Sequence, residues 1–268
     1  MRKIALIAIA LAIGGTANAA DMAVKALPVA PISTSWTGWY VGINGGGVWG
    51  TADPSVTFFP GGGNNYTPIS GGPAIVVATG SNRINNSGGL AGGQFGYRWQ
   101  NGRLVGGLEA AFDWMNARGS SVNTAGYTQG GSIGQTFTFS DRVSTNWLLT
   151  FLARAGFDMG GWYPYVTGGL AVTDLKFNGA FVDSFFDPGK GVVSINQVRA
   201  GFAVGGGAEW RWNSHWSVRG EYLYMVFDGG INGTLPVAQS LFPGNIANLN
   251  HNVKFTENVA RVALSYNW

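Results

Sequence analysis

The sequence ENVARVALSYNW, residues 257–268, decides the fold that the rest of the chain is expected to adopt. Counted back from Trp268 to Ala260, every second residue is apolar or aromatic, whereas the residues between them are small, polar or charged. A period of two places these sets on opposite faces of one β-strand. Because the strand ends on an aromatic residue with no polar tail, we interpret it as the closing strand of a membrane β-barrel.

The composition of the whole chain agrees with a membrane protein. Of 268 residues, 46% are apolar and only 11% are charged, whereas soluble domains average about 25% charged. The formal charge of +3 comes from 16 basic and 13 acidic residues, and two of the basic residues, Arg2 and Lys3, belong to a leader. The remaining 14 against 13 leave a net charge of +1, which predicts no nucleic-acid partner.

The N-terminus has the three parts of a secretory signal peptide. A basic Arg2-Lys3 pair precedes the apolar run Ile4–Ile13, and Ala17-Asn18-Ala19 follows as an A-x-A cleavage site. The apolar run is too short to span a membrane, which takes about 20 residues. We therefore expect an exported protein that enters the outer membrane by strands, with a signal peptide over 1–19, a periplasmic lead-in over 20–35 and a barrel over 36–268.

From Trp36 onward, stretches of alternating residues are separated by short turns or by long polar segments. The alternation predicts eight strands, hence an all-β, antiparallel up-and-down transmembrane barrel with short periplasmic turns and four long external loops. The predicted turns are Asn101-Gly102, Gly160-Gly161 and residues 213–215, and the predicted loops are residues 51–86, 116–141, 177–196 and 228–254.

These turns also predict which residues face one another. A two-residue turn at Gly160-Gly161 sets Arg154 opposite Thr167, and a three-residue turn at 213–215 sets Glu209 opposite Arg219. A two-residue turn at Asn101-Gly102, the strongest short hairpin signal, sets Gln94 opposite Glu109. The last strand must pair with residues 36–48, because an open sheet edge is not tolerated in hydrocarbon.

The polarity of the two faces decides between a membrane barrel and a soluble ligand-carrying barrel. A soluble barrel fills its interior with apolar side chains, but the second face here carries Gly, Ala, Ser, Thr and charged residues. We therefore place the apolar face in lipid and predict that the other face plugs the lumen, with an ion pair between Glu209 and Arg219. The predicted lumen charge network is Arg98, Glu109, Asp113, Arg154, Arg199, Glu209, Arg219, Glu221 and Arg261.

Three motifs carry a resemblance to a known family. The sequences WTGWYVG at 36–42, VTGGLA at 166–171 and WSVRGEYLY at 216–224 resemble the small outer-membrane β-barrel proteins of alpha-proteobacteria, described as outer-membrane immunogenic or porin-like surface proteins. The resemblance implies that the barrel-assembly machinery reads an aromatic C-terminal signal. That signal would comprise Val262, Leu264, Tyr266 and Trp268, although members of the family more often end in Phe.

No motif predicts catalysis or a cofactor. Residues 45–50 match G-x-G-x-x-G without a following helix pattern, and residues 130–134 match G-x-S-x-G within a glycine-rich loop. His215 and His251 are far apart and have no metal-ligand spacing. We therefore predict no catalytic, cofactor-binding or metal-binding residue and no enzyme activity.

The sequence thus predicts a structural surface protein of the outer membrane that contributes to envelope integrity and surface interaction. The expected partners are outer-membrane lipid, lipopolysaccharide and the assembly machinery. A narrow porin-like channel for ions or small solutes is the alternative, since charged residues could line a pore. A lipid-acting barrel enzyme is a second alternative, but no nucleophile–base pair supports it.

Overall fold

The chain folds into a closed antiparallel barrel. A computed structural model describes residues 35–59, 72–128, 133–184, 189–238 and 246–268, so the predicted signal peptide and nearly all of the lead-in lie outside the described residues. Consecutive strands pair with each other, and β8 returns to pair with β1, which confirms the predicted fold class. The strands are β1 (Gly38–Phe59), β2 (Ile84–Asn101), β3 (Leu104–Gly126), β4 (Thr136–Phe157), β5 (Trp162–Asp183), β6 (Gly189–Arg211), β7 (Trp216–Ala238) and β8 (Ile246–Asn267).

The closing strand has the position and the faces expected from its sequence. In β8, Leu264 lies opposite Ile43 of β1 on one side and opposite Val218 of β7 on the other. Val262, Tyr266 and Trp268 are exposed on the outside, while Arg261 and Ser265 are buried inside. The backbone groups of β8 therefore find partners on both sides, as hydrocarbon requires.

The predicted registers are correct at two of the three turns. Arg154 lies opposite Thr167 and Glu209 lies opposite Arg219. The first hairpin is offset by two residues, because Asn101 stays in the ladder opposite Leu104 and the turn falls at Gly102 and Arg103. Gly102 takes the left-handed conformation that this turn requires, with φ of +60°. An offset of two keeps every side chain on its predicted face.

An apolar band bounded by two aromatic girdles surrounds the barrel. Side chains between the girdles, such as Ile43, Leu108, Phe151 and Val204, are about half exposed or more, as lipid-facing residues are when the protein is considered without lipid. One girdle lies at the end with the short turns and comprises Trp39, Trp99, Trp162, Trp210, Trp216 and Trp268. The other lies across the band and comprises Trp49, Trp114, Trp147 and Tyr224.

The strands continue well beyond this band. They contain 18 to 23 residues, whereas about 9–11 residues cross a bilayer. Much of the sequence assigned to loops is therefore strand, including residues 51–59, 116–126, 177–183 and 246–254. The four external connections keep their places in the chain but are shorter than expected.

A short helix, α1 (Gly72–Gly80), lies in the first of these connections. These residues belong to the predicted loop 51–86, and Pro73 fits the first turn of the helix, where its missing N–H costs nothing. Val76 of α1 is buried and joins the apolar core of the upper barrel. Of the helices in the described residues, none is long and apolar enough to cross a membrane.

The interior has two layers with different chemistry. The half nearest the short turns holds buried charged residues, and the half nearest the external connections holds an apolar core. The sequence places the apolar face in lipid, and above the upper girdle this is wrong, because the apolar side chains there face inward. The largest fully buried side chains of this upper core are Phe137, Phe139, Phe177, Phe181 and Phe255.

Replacing Leu264 with Arg should destabilise the barrel by roughly 2–4 kcal/mol, because Leu264 lies midway between the girdles and charge is costly there. The free energy of unfolding in lipid vesicles, measured by urea titration, checks this value. Thr57→Arg is the matched control, since Thr57 faces outward above the band and a cation there meets water. Equal stability of the two variants would contradict the assignment of the lipid-facing band.

Candidate functional site

Buried acids and arginines from six strands meet in the lower lumen. Glu109 and Asp113 come from β3, and Glu209 comes from β6. The arginines are Arg98 of β2, Arg154 of β4, Arg219 of β7 and Arg261 of β8, and Glu221 of β7 completes the set. We call these eight side chains the lumen network. All eight are at most 5% exposed.

Glycines on neighbouring strands make room for these long side chains. Glu109 faces Gly96 across the ladder, and a Cβ atom at Gly96 would lie 2.4 Å from the Tyr40 hydroxyl. A Cβ atom at Gly92 would lie 2.3 Å from an Asp113 oxygen. Both distances are impossible contacts. These glycines therefore leave space for the side chains of the lumen, in addition to permitting the curvature of the barrel wall.

Glu109 is the most shared acid of the lumen network. Its Oε1 atom lies 2.5 Å from Arg154 Nη2 and 3.4 Å from Arg261 Nη2. Its Oε2 atom lies 2.6 Å from Arg219 Nη1 and accepts a hydrogen bond of 2.8 Å from the Tyr40 hydroxyl. One carboxylate thus compensates three guanidinium groups.

Glu221 and Asp113 complete the pairing of these arginines. Glu221 accepts hydrogen bonds from Arg154 Nη2 at 2.9 Å, from Arg261 Nε at 2.7 Å and from the Tyr165 hydroxyl at 2.7 Å. Asp113 lies 2.9 Å from Arg261 Nη1. Arg154 and Arg261 each reach more than one carboxylate, and buried ions are stable only when they are paired in this way.

A second cluster closes the periplasmic mouth of the lumen. Arg98 Nη1 lies 2.7 Å from Glu209 Oε1, and the Arg98 guanidinium lies over the rings of Trp36 and Tyr40 at 5.1 and 4.3 Å. Trp36 is 2% exposed and also lies under the guanidinium of Arg211, at 4.1 Å. An indole between two arginines therefore covers the lower end of the lumen network.

The structure brings together eight of the nine side chains of the predicted charge network. Arg199 lies apart: it is half-buried on β6 and donates a hydrogen bond to Gln197. The predicted ion pair between Glu209 and Arg219 does not form, although the two residues face each other in register. Arg219 reaches across the lumen to Glu109 instead, and Glu209 binds Arg98.

The sequence reading did not include the aromatic members of the site. Tyr40 and Tyr165 donate hydrogen bonds to the central acids, and Trp36 covers the mouth. Tyr40 and Tyr165 both lie at inward positions of the alternation, and this was the signal available for them. Trp36 precedes β1, where no periodicity exists to place it.

The net charge of the lumen network is zero. Four arginines face four carboxylates, and the two signs alternate through the set. A selective pore is expected to carry a ring of one sign, so the arrangement favours cohesion over ion selection.

Asp141 is a buried acid of the upper core that forms no ion pair with the described residues. Asp141 is 4% exposed on the inward face of β4, above the upper girdle. Burial raises the pKa of its carboxyl to about 7. Within the described part of the chain, its Oδ1 atom has no hydrogen-bond partner.

Neither histidine belongs to a metal site in the structure. His215 lies in the turn before β7 and stacks on Tyr266, at 5.5 Å between ring centroids. His251 is buried beside the rings of Phe139 and Phe177. Within the described ranges, no three His, Cys, Asp or Glu side chains converge in a way that could hold a metal ion.

Comparisons with known proteins give a family match and several relatives. Residues 6–262 match the model of the outer membrane protein beta-barrel domain family. The 31 kDa outer-membrane immunogenic protein of Brucella melitensis is 31% identical over 236 residues, which cover 84% of this chain and 86% of that protein.

Two solved structures are more distant. The outer membrane protein OprG from Pseudomonas aeruginosa has a TM-score of 0.37 at 16% identity, covering 87% of this chain and 96% of OprG. The outer membrane protease OmpT from Escherichia coli has a TM-score of 0.42 at 8% identity, covering 91% of this chain and 99% of OmpT.

Replacing Glu109 with Gln should lower the free energy of unfolding by about 3–5 kcal/mol, because three buried arginines lose their shared counter-charge. Urea titration of the folded barrel in micelles measures the change. Asp53→Asn is the control: Asp53 and Arg83 form an exposed ion pair, and such pairs contribute about 0–1 kcal/mol. A loss for Glu109→Gln as small as that of the control would show that the lumen network is not what stabilises the barrel.

The raised pKa of Asp141 predicts a pH dependence of stability. An unfolded Asp titrates near pH 3.9, so between about pH 4 and pH 7 the unfolded state is ionised while the folded state still holds its proton. The free energy of unfolding should therefore fall by about 2–4 kcal/mol as the pH rises through this range, and stay level above it. Asp141→Asn should remove the part of this slope that Asp141 contributes, as followed by the midpoint of heat-modifiable gel migration. An equally steep slope in the variant would contradict the prediction.

Proposed function

Because the chain belongs to the outer membrane protein beta-barrel domain family, we propose that it is a structural surface barrel with a closed lumen that contributes to envelope integrity and surface contact. The family match and the Brucella relative establish that it is an outer-membrane β-barrel protein located in the cell outer membrane. They confirm the resemblance first seen in three short motifs. The closed lumen and the structural role are the finer part of the proposal.

The observation that carries the proposal is the filling of the lumen at two levels. In the lower half, side chains of the lumen network are 0–1% exposed at their charged groups. In the upper half, aromatic side chains of β4, β5 and β8 are buried together in the apolar core, with the ring centroids of Phe139 and Phe181 4.9 Å apart. An ion would have to break salt bridges and then cross an apolar section without its water, which is costly.

The filled interior suits a mechanical role. The lumen network ties six of the eight strands across the lumen, and the upper core supports strands that rise beyond the membrane. A rigid barrel of this kind can present its external connections at the cell surface with little change in shape. The matched Brucella protein is named as an outer-membrane immunogenic protein, and surface exposure of this chain is part of the proposal.

Export and assembly follow from the same proposal. Residues 1–19 would act as the signal peptide and residues 20–35 as a periplasmic lead-in. Val262, Leu264, Tyr266 and Trp268 would form the signal for the barrel-assembly machinery. Trp268 donates its backbone N–H to the Trp39 carbonyl at 3.1 Å, so the final residue also completes the seam between β8 and β1. No catalytic role is proposed.

Single-channel recording in planar bilayers tests the closed lumen. The wild-type chain, with insertion checked by heat-modifiable migration, should show no steady open level, because both halves of the lumen are filled. Glu109→Gln should leave this baseline unchanged, since the upper core still closes the path. A steady conductance whose ion selectivity changes in Glu109→Gln would contradict the proposal and favour the narrow channel.

A further inference from the structure

We propose that a cationic patch on the outer surface, formed by Arg118, Arg142 and Lys176, binds the phosphate groups of lipopolysaccharide in the outer leaflet. The three cations come from β3, β4 and β5 and face outward. They line one cleft of about 640 Å³ together with Asn85, Gly119, Ser120, Ser144, Asn146 and Asn178. The inference rests on the outer-membrane location of the chain and not on the closure of its lumen.

The register of three strands brings the cations together. Ser144 lies opposite Arg118 on one side and opposite Lys176 on the other. Arg142 lies one outward position further along β4, between Ser120 and Asn178. Neighbouring strands are about 4.8 Å apart, so the three cations surround a space that a phosphate group can occupy. The serine and asparagine side chains add hydrogen-bond donors to it.

The patch lies at the height of lipid headgroups. Trp114 and Trp147 belong to the upper aromatic girdle on these strands, and aromatic girdles mark the membrane interface. Arg118 lies four residues beyond Trp114 on β3, which is roughly 13 Å along the strand and less in height because strands are tilted. Long basic side chains can bend back toward the interface, and this brings the three charges to the level of the phosphates.

The two arginines of the patch are available to a ligand. In the described part of the chain, Arg118 and Arg142 form no ion pair. Lys176 forms an ion pair with Asp174 at 3.5 Å, so the patch has a net charge of +2 from its three cations and the Asp174 carboxylate. This carboxylate accepts hydrogen bonds from the backbone N–H groups of Asn146 and Trp147 at 2.7 and 3.1 Å, and from the Asn146 side chain at 2.9 Å.

Asp174 has a structural task that explains its presence in a basic patch. The inward and outward alternation of β4 is interrupted at Asn146 and Trp147, where the ladder to β5 shifts register. Asp174 pairs with the two N–H groups that this bulge frees. The bulge keeps Trp147 and Arg142 both facing outward, which aligns the girdle with the patch.

The apolar surface lower on the same strands suits the other end of an amphipathic lipid. A furrow of about 490 Å³ runs over the lipid-facing side of β1 to β5, including the three strands of the patch, and is almost wholly apolar. Its lining includes the small residues Ala110, Ala153 and Gly168, with Leu108, Phe151 and Leu170 beside them. Acyl chains can lie in this furrow, whereas a free phosphate or a soluble anion makes no favourable contact with an apolar surface. The pair of features therefore favours a phosphorylated lipid.

Equilibrium binding of fluorescent lipopolysaccharide with a bisphosphorylated lipid A to the micelle-refolded full chain tests the proposal. The variant Arg118→Gln, Arg142→Gln, Lys176→Gln should bind roughly 100-fold more weakly, since each cation near a charged lipid surface contributes about fivefold. Enzymatically dephosphorylated lipopolysaccharide should bind the wild type and this variant equally. Heat-modifiable migration verifies that the variant is folded, and its conductance baseline should equal that of the wild type.

The matched control is the variant Arg103→Gln, Lys190→Gln, Lys254→Gln, which removes the same number of charges from exposed positions away from the patch. It should bind lipopolysaccharide within about twofold of the wild type, because it leaves the patch intact. Equal losses in the two triple variants would overturn the proposal, since net charge alone would then explain binding. Displacement of lipopolysaccharide by millimolar inorganic phosphate, or by phosphatidylglycerol vesicles at equal lipid concentration, would also overturn it.

Discussion

The structure depends on one requirement of hydrocarbon, that every backbone N–H and C=O group has a partner within the protein. Pairing of β8 with β1 meets this requirement by removing both edges of the sheet. Closure then fixes where the side chains go. Those facing lipid must be apolar between the two girdles, and a barrel of eight strands encloses only enough space for side chains. The charged residues of the chain are therefore forced together inside.

Closure of the barrel also brings together the opposite charges that stabilise one another in this interior. A single arginine buried in the lumen would be costly, but Arg154, Arg219 and Arg261 arrive from β4, β7 and β8 at the same carboxylate, Glu109 of β3. These strands are not all neighbours, so the lumen network exists only once the barrel is complete. Burial of the charges and closure of the sheet are thus coupled, and this favours one strand order over partly open alternatives.

The alternation of the sequence was sufficient to predict the strand count, the faces and two of three hairpin registers, but it failed where the polarity of the faces reverses. Below the upper girdle the apolar residues of β8 face outward, as Leu264 does. Above it they face inward, as Val253 and Phe255 do. The chain leaves lipid for water at that height, so an apolar interior becomes the stable arrangement. Regions with this reversed pattern resembled polar loops. The ion-pair partners of the arginines across the lumen could not be predicted either. The register of the strands fixes which residues are neighbours in the barrel wall, but it does not fix which acid an arginine side chain reaches across the lumen.

The same boundary accounts for the outer surface. Where lipid ends, outward positions turn from Trp114 and Trp147 to Arg118 and Arg142 within a few residues. Exposed cations there are favoured by anionic headgroups and would be costly lower in the band. At the bulge that Asp174 stabilises, β4 changes its alternation, and this keeps both the tryptophan and the arginine on the outside. The change from aromatic to basic outward residues therefore depends on the backbone of β4 as well as on composition. The interior changes from charged to apolar across the same region. The change from lipid to water outside the barrel therefore determines which residues lie on both faces of its wall.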